Sequence, residues 1–186
     1  MRERIREEEQ LANKDMLIAQ DIQIECTNDL SRAMPILNAA KAALDTIKPA
    51  HINEIKVLQN PPSHVKMVLH AVCVMLDRKV EKTPKKDNPK VLEDNWWYTA
   101  QKFMNEKDFL GNLQNIDKDN IPAQIMARVK KEFINNDNFK PNRVAQASFA
   151  AKGLCEWIIK LKEYDEINRA IQPKRLALKN AQASYQ

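Results

Sequence analysis

A heptad pattern of small and apolar residues over the first 47 residues constrains the fold of this chain more than any other feature. Apolar positions that alternate in spacings of four and three form the seam along which one helix packs on another. The members of the seam are Ala12, Met16, Ala19, Cys26, Leu30, Ala33, Leu37, Ala40, Leu44 and Ile47, with Gln23 as the single polar interruption. The pattern predicts one long coiled-coil helix over 1–47. We expect Pro35 to kink or loosen it, because proline lacks the backbone N–H of a helix interior.

A second long helix is predicted after Pro141, since proline suits the first position of a helix. Its seam is formed by Leu154, Trp157, Leu161, Tyr164 and Ile171, but the same register also reaches the polar residues Asn168, Arg175 and Gln182. The neighbouring frame offers Ile158 and Ile167 instead. Two nearly equivalent stripes specify the register weakly, and Pro173 interrupts this helix much as Pro35 interrupts the first.

The middle of the chain consists of short pieces separated by prolines. Helices are predicted over 48–59, 63–76 and 97–106, and from the Asp119–Pro122 turn to about Phe133, whereas the lysine-rich segment 77–95 is predicted to be a surface loop. The predicted domains are a first coiled-coil helix (1–47), a helical head (48–153) and a second coiled-coil helix (154–186). Because the chain leaves and returns, the long helices pair antiparallel. The expected fold is all-α, a small bundle of short helices at the tip of an antiparallel two-helix coiled coil.

The composition supports a helical fold and excludes two kinds of nucleotide site. The chain of 186 residues has only two glycines, Gly111 and Gly153, so neither glycine-rich phosphate-binding motif can be written. Tight hairpins also depend on glycine. Only 13 residues follow Pro173, whereas 34 precede Pro35. We therefore expect part of the first helix to lack a partner here, and the chain to be cut from a longer one.

The net charge of +5 is unevenly distributed along the chain. Residues 1–47 carry a net −3, residues 48–153 carry +6 and residues 154–186 carry +2. This distribution indicates that an anionic partner would meet the middle of the chain. The lysines of the predicted loop are typical of a solvated surface, with a binding role as the alternative.

The candidate chemical sites are weak. The segment 117–120 resembles the start of a calcium loop, but the later ligand positions hold Ile121, Pro122 and Arg128. His70 and Cys73 could share a metal, although the sequence shows no second pair of ligands. The run Trp96–Tyr98 is favoured as a core anchor over a base-stacking platform. No catalytic site, metal, cofactor, signal peptide or membrane segment is predicted, and the three cysteines, Cys26, Cys73 and Cys155, are expected to be reduced thiols in the cytosol.

An ordered series of motifs resembles the distal stalk and microtubule-binding domain of dynein heavy chains. The motifs are the A-x-P-x-L-x-A-A run at 33–40, I-K-P at 47–49, H-I-N-E-I-K at 51–56, N-P-P at 60–62, V-K at 65–66, A-V-C at 71–73, D-F-L at 108–110, D-K-D-N-I at 117–121, A-S at 147–148, L-C-x-W at 154–157, Tyr164 and P-K-R at 173–175. They cover nearly the whole chain. D-K-D-N-I and P-K-R resemble the axonemal branch more than the cytoplasmic one.

The resemblance implies the microtubule-binding tip of a motor whose ATPase lies elsewhere in the parent chain. It assigns the docking face to Lys48, His51, Lys56, Lys102, Lys107, Arg143 and Lys152. It implies that affinity is coupled to the ATPase through sliding of the coiled-coil register, with Pro35, Pro173, Asn168 and Arg175 as the register and hinge residues. The chain departs from the cytoplasmic pattern at Asn142 and Gln146, where an acidic and a basic residue are expected, and at Pro49, where the family has a second helical lysine.

The implied partners are α/β-tubulin and the rest of the heavy chain, with no nucleic acid or membrane. The implied location is the cytoplasm and cytoskeleton, in the axoneme of a cilium or flagellum. The alternative from another class is a coiled-coil scaffold or adaptor whose helical head binds a protein partner. A nucleic-acid module is third, because no nucleic-acid motif is recognisable and the first arm is acidic.

Overall fold

The fold was analysed in a computed structural model that describes residues 1–184. Two long helices enclose a series of short ones in the sequence, and a small antiparallel hairpin interrupts the series. The elements are α1 (Arg2–Asp45), α2 (Pro49–Lys56), α3 (Ser63–Met75), β1 (Glu81–Pro84), β2 (Leu92–Asn95), α4 (Trp96–Met104), α5 (Phe109–Gln114), α6 (Ala123–Val129), a π-helical segment (Lys130–Ile134), α7 (Pro141–Ala145) and α8 (Phe149–Ser184). The prediction of an all-α chain is confirmed.

The structure divides into two compact units. One contains residues 1–36 together with those from 163 onward, and the other contains residues 37–162. In the first unit, α1 and α8 continue through Pro35 and Pro173. The buried side chains of this unit are Ala19, Ala33, Tyr164, Asp165, Asn168 and Ile171. Asn168 therefore lies in the buried stripe as predicted, whereas Arg175 and Gln182 are exposed.

The second unit contains the main hydrophobic core. α3 is its centre, because most of its side chains are buried and it packs on α4, α6 and α7. The end of α1 and the start of α8 supply the rest of the frame, through Ala40, Ala43, Leu44, Ile47, Leu154, Trp157 and Ile158. The core is mostly aliphatic, as the composition indicates.

The prediction of a surface loop over 77–95 is wrong in part, because β1 and β2 lie within this segment and pair antiparallel. Glu81 lies opposite Asn95, and Pro84 lies opposite Leu92. The scarcity of glycine argues only against tight hairpins, whose turns need residues of positive φ. Here the connection is longer, and it is closed by a hydrogen bond from the Lys85 amide to the Val91 carbonyl (2.9 Å). The hairpin is also fixed to α4, since the Glu81 amide donates to the Thr99 hydroxyl (2.9 Å).

The helix predicted to run on from Pro141 is instead two helices. α7 ends at Ala145, and α8 begins at Phe149. The Ser148 hydroxyl accepts a hydrogen bond from the Ala151 amide (3.2 Å). This is the action of an N-cap, which satisfies an amide that has no partner within the helix. The serine therefore starts a new helix where the hydrophobic pattern alone suggested continuity.

One glycine marks the closest approach of α1 and α8 in the second unit. A Cβ atom on Gly153 would lie 2.9 Å from the Ile47 side chain and 3.1 Å from the Ala43 carbonyl oxygen. A real Cβ contact of 2.9 Å is essentially never seen and one of 3.1 Å is unusually short, so the absence of a side chain at residue 153 allows this close approach.

Gly153→Ala is expected to destabilise the chain, although alanine favours a helix more than glycine does. The added methyl group must displace Ile47 or separate the two helices, at a cost of about 1–3 kcal/mol. Urea unfolding followed by circular dichroism measures this cost. In the Gly153→Ala background, Ile47→Val should recover part of the lost stability because it removes the methyl group that the new Cβ meets. In the parent chain the same substitution should destabilise. A stabilised Gly153→Ala variant would show that the contact is not tight.

Candidate functional site

The short helix α2 carries three of the seven predicted docking residues. Ile52 and Ile55 are buried and fix one side of the helix to the core. Lys48 precedes the first turn and is exposed, and its backbone N–H donates to Nδ1 of His51 (3.1 Å). The helix is thus held by its apolar side while its basic end faces solvent.

An aromatic contact joins α2 to the beginning of α8. The His51 and Phe149 rings meet edge to face with 5.6 Å between their centroids. Phe149 is 54% exposed despite this contact. Lys152 lies about one turn further along α8, where its Nζ is 3.9 Å from Glu156. The structure therefore places an exposed aromatic ring beside α2, and the sequence pattern did not indicate it.

Lys56 ends α2 at the junction with α4. Its carbonyl accepts a hydrogen bond from Nε2 of Gln101 (2.9 Å), and the Trp97 indole donates to the Leu58 carbonyl (2.9 Å). Trp97 is half-buried against the core, as the anchor reading predicts. These bonds fix the end of α2, after which Val57 is 69% exposed.

Lys102 differs from the other predicted docking residues because its charge is paired. Its Nζ donates to both carboxylate oxygens of Glu81 (2.8 and 3.0 Å) and lies 5.5 Å from the centre of the Tyr98 ring. The hydrogen bond to Glu81 raises the pKa of Lys102. Glu81 is 21 residues away on β1, so no local pattern could reveal this partner.

The remaining two predicted residues lie on other segments. Lys107 is exposed in the connection between α4 and α5. Arg143 is exposed on α7, and its Nη1 donates to the side-chain oxygen of Asn138 (3.0 Å). That partner is neutral, so the positive charge of Arg143 is not cancelled by it.

His70 and Cys73, the possible metal pair, are packing residues. His70 stacks on Trp96 (4.2 Å between centroids) and contacts Phe133 edge to face (4.9 Å). Burial raises the pKa of Cys73 to about 12, which disfavours the thiolate that a metal would need. Within residues 1–184, no cluster of three His, Cys, Asp or Glu side chains could hold a metal ion.

His70 is expected to make the chain less stable in acid. Burial and, secondarily, the Arg128 charge lower the pKa of His70 to about 4 from 6.5. The unfolded chain therefore binds a proton more readily, and stability falls as the pH drops from about 6.5 toward 4. The shift corresponds to an upper limit of about 3 kcal/mol, and solvent screening of this partly exposed ring reduces the effect to roughly 1–2 kcal/mol.

Urea unfolding at neutral pH and at about pH 4.5 measures this loss. His70→Phe keeps a ring against Trp96 without the titrating group, so its loss on acidification should be smaller than that of the parent chain. Equal losses in the two proteins would show that other groups account for the acid sensitivity.

No helix among the described residues is both long and apolar enough to cross a lipid bilayer. Comparison with known families matches residues 2–186 to the family described as "MT: Microtubule-binding stalk of dynein motor". The chain is 39% identical over 178 residues to dynein axonemal heavy chain 3 of Homo sapiens and 33% identical over 177 residues to the dynein beta chain of the flagellar outer arm of Chlamydomonas reinhardtii. These alignments cover 96% and 95% of this chain but only 4% of each relative.

A solved structure has the same fold. The chain described as "Microtubule Binding Domain of DYNEIN-C" superposes with a TM-score of 0.68 at 36% sequence identity. The match covers 81% of this chain and 96% of that one.

Proposed function

Because the chain belongs to the family of microtubule-binding stalks of dynein motors, we propose that its basic helical face docks on tubulin. The family match and the axonemal relatives confirm the resemblance to dynein stalks of the axonemal branch. The chain is a stalk domain and not a catalytic one. The observation that carries the proposal is the geometry of α2. Its buried side is anchored by Ile52 and Ile55 while Lys48, His51 and Lys56 lie at its two ends. A rigid basic helix of this kind suits an acidic partner.

The seven docking residues do not contribute equally in this proposal. Among the described residues, the structure records no ion pair for Lys48, Lys56 or Lys107. Lys48 and Lys107 are exposed and Lys56 is half-buried, so tubulin would meet lysines whose charges no recorded carboxylate offsets. Lys102 must share its charge with Glu81, and Lys152 lies near Glu156. Phe149 adds an exposed apolar surface next to His51. The available lysines should therefore dominate the affinity.

The wider context is part of the same proposal. The relatives are axonemal dyneins, so we place the chain on the cytoskeleton, in the axoneme of a cilium or flagellum, with a cytoplasmic location for the protein before assembly. Its partners are then the microtubule and the rest of a dynein heavy chain that hydrolyses ATP elsewhere.

Lys56→Glu is expected to weaken microtubule binding by about tenfold, because it replaces an available cation with an anion at the docking helix. Cosedimentation with microtubules at two salt concentrations measures the effect, and the variant should depend less on salt. Lys131→Glu, which makes the same charge change on the π-helical segment, is the matched control and should bind nearly normally. Lys102→Gln should have a smaller effect than Lys56→Gln.

Two results would contradict the proposed assignment of the docking face. Unchanged binding by a folded Lys56→Glu variant would exclude α2 as the main element. No binding by the parent chain at either salt concentration would instead favour the scaffold alternative, in which the head binds another protein.

We further propose that affinity is coupled to the remote ATPase through sliding of the α1–α8 register, and the ion pairs of the first unit support this. Nζ of Lys174 lies 2.6 Å from Asp29 and 3.6 Å from Glu25. The hydrogen bond to Lys174 lowers the pKa of Asp29 despite opposing desolvation. Asp21, Glu25 and Asp29 are spaced four residues apart, so their carboxylates share one face of α1.

This acidic ladder gives the slide a direction. If α8 moves by one turn, about 5.4 Å, toward the N-terminus of α1, Lys174 exchanges Asp29 and Glu25 for Glu25 and Asp21 and keeps a carboxylate pair. If α8 moves one turn in the opposite direction, Lys174 lies between Asp29 and Ala33 and keeps only one carboxylate neighbour of this ladder. The ladder therefore makes the register displaced toward Asp21 electrostatically similar to the present one.

The composition of the core of the first unit supports the same proposal. Its buried stripe includes the polar residues Asn168 and Asp165, the latter paired with Arg169 (2.7 Å). Beyond Ile171 the seam holds exposed Arg175. Pro35 and Pro173 each remove one helical hydrogen bond and would act as hinges. Little apolar burial then holds the helices in one register.

Disulfides can fix each register for measurement. In a Cys26→Ser background, cysteines at 29 and 174 hold the present register, and cysteines at 25 and 174 hold the register displaced by one turn. We expect the two oxidised proteins to differ in microtubule affinity by cosedimentation, and to become alike after reduction. Equal affinities of the oxidised forms would overturn the coupling but leave the docking face untouched.

A further inference from the structure

A groove in the second unit lies where α7 and α8 approach α1. Its volume is about 690 Å³, within the range of sites that hold ligands or short segments of chain. Ala39, Pro141 and Ile159 supply apolar lining, and each is half-buried. The basic residues Lys140 and Arg143 stand at its wall.

The charges of the groove favour an anion. The recorded hydrogen bond of the Arg143 guanidinium goes to the neutral side-chain amide of Asn138. Lys140 is exposed and has no recorded ion pair. A third cation, Lys160, also lines the groove. The one carboxylate of the lining, Glu156, lies 3.9 Å from Lys152, so its charge is partly offset. The groove thus combines an apolar base with a net positive wall.

We propose that this groove binds an acidic, extended peptide segment of a partner protein. Lys140 and Arg143 would pair with carboxylates, while Ile159 and Pro141 would contact the aliphatic parts of the bound side chains. The side-chain amide of Asn142, also in the lining, offers a donor and an acceptor to a peptide backbone. Nucleic acid fits less well, because the lining, which lies wholly in the described part of the chain, contains no aromatic ring on which a base could stack.

The groove shares Arg143 with the proposed docking face, so the inference rests in part on that proposal, and an acidic filament protein is one source of such a segment. The probe is a fluorescein-labelled peptide of roughly eight glutamates. This length exceeds what a groove of this size can hold, so the peptide can fill the whole groove. Fluorescence anisotropy with the complete 186-residue chain measures its affinity. We expect saturable binding that weakens about tenfold or more in the double variant Lys140→Glu, Arg143→Glu, since two cations become anions.

Matched controls separate a site from general attraction. Lys82→Glu, Lys86→Glu makes the same charge change on the hairpin and should alter the peptide affinity less than about twofold, as is usual for screened, distant charges. Lys56→Glu should lower microtubule binding yet keep peptide binding, so the two proposals can fail separately. Amide NMR shifts on peptide addition should centre on 140–143 and 156–160.

Three outcomes would overturn the inference. The hairpin variant could lose peptide affinity as severely as the groove variant, which would indicate attraction by net charge alone. The amide shifts could centre elsewhere on the chain. A labelled oligo-dT of equal charge could bind more tightly than the peptide and lose affinity in the groove variant, which would assign the groove to nucleic acid.

Discussion

The close contact between α1 and α8 at Gly153 is the constraint on which the second unit depends. Because residue 153 has no side chain, Ile47 and the Ala43 carbonyl can lie against the α8 backbone. The two helices then present one continuous apolar surface to the short helices, with α3 packed at its centre. The same contact fixes the start of α8, where Phe149 touches His51. A glycine within a helix normally costs stability, and at Gly153 the close packing that it permits offsets the cost.

The proposed docking surface depends on this frame and on which of its charges are paired. α2 is short and cannot be stable alone, so its orientation is set by Ile52 and Ile55 in the core and by the Lys56–Gln101 hydrogen bond. The basic residues around it differ in kind. The structure records no ion pair for Lys56 among the described residues, whereas Lys102 is paired with Glu81. A surface that is basic by composition therefore concentrates its effective charge on fewer residues than a count of lysines suggests.

Much of the fold could be predicted because the signals are local and periodic. The heptad pattern predicted the long first helix, the prolines at 49 and 62 marked where α2 and α3 begin, and ordered motifs indicated the family. The errors arose where a single hydrogen bond overrides a pattern. Ser148 caps α8 and separates it from α7, Asp108 caps the unpredicted helix α5 by accepting a hydrogen bond from the Gly111 amide (3.2 Å), and a long connection allows a hairpin without glycine.

The sequence by itself determined the helical class and the family to which the chain belongs. Each is written in residues a few positions apart, where the period of burial or a motif can be read directly. Only the tertiary structure decided which charges are paired, which aromatic ring remains exposed and where Lys174 meets the acidic ladder. These outcomes join residues far apart in the sequence, as Lys174 and Asp29 are, and such partners are selected by the packing of the whole chain and not by any local pattern.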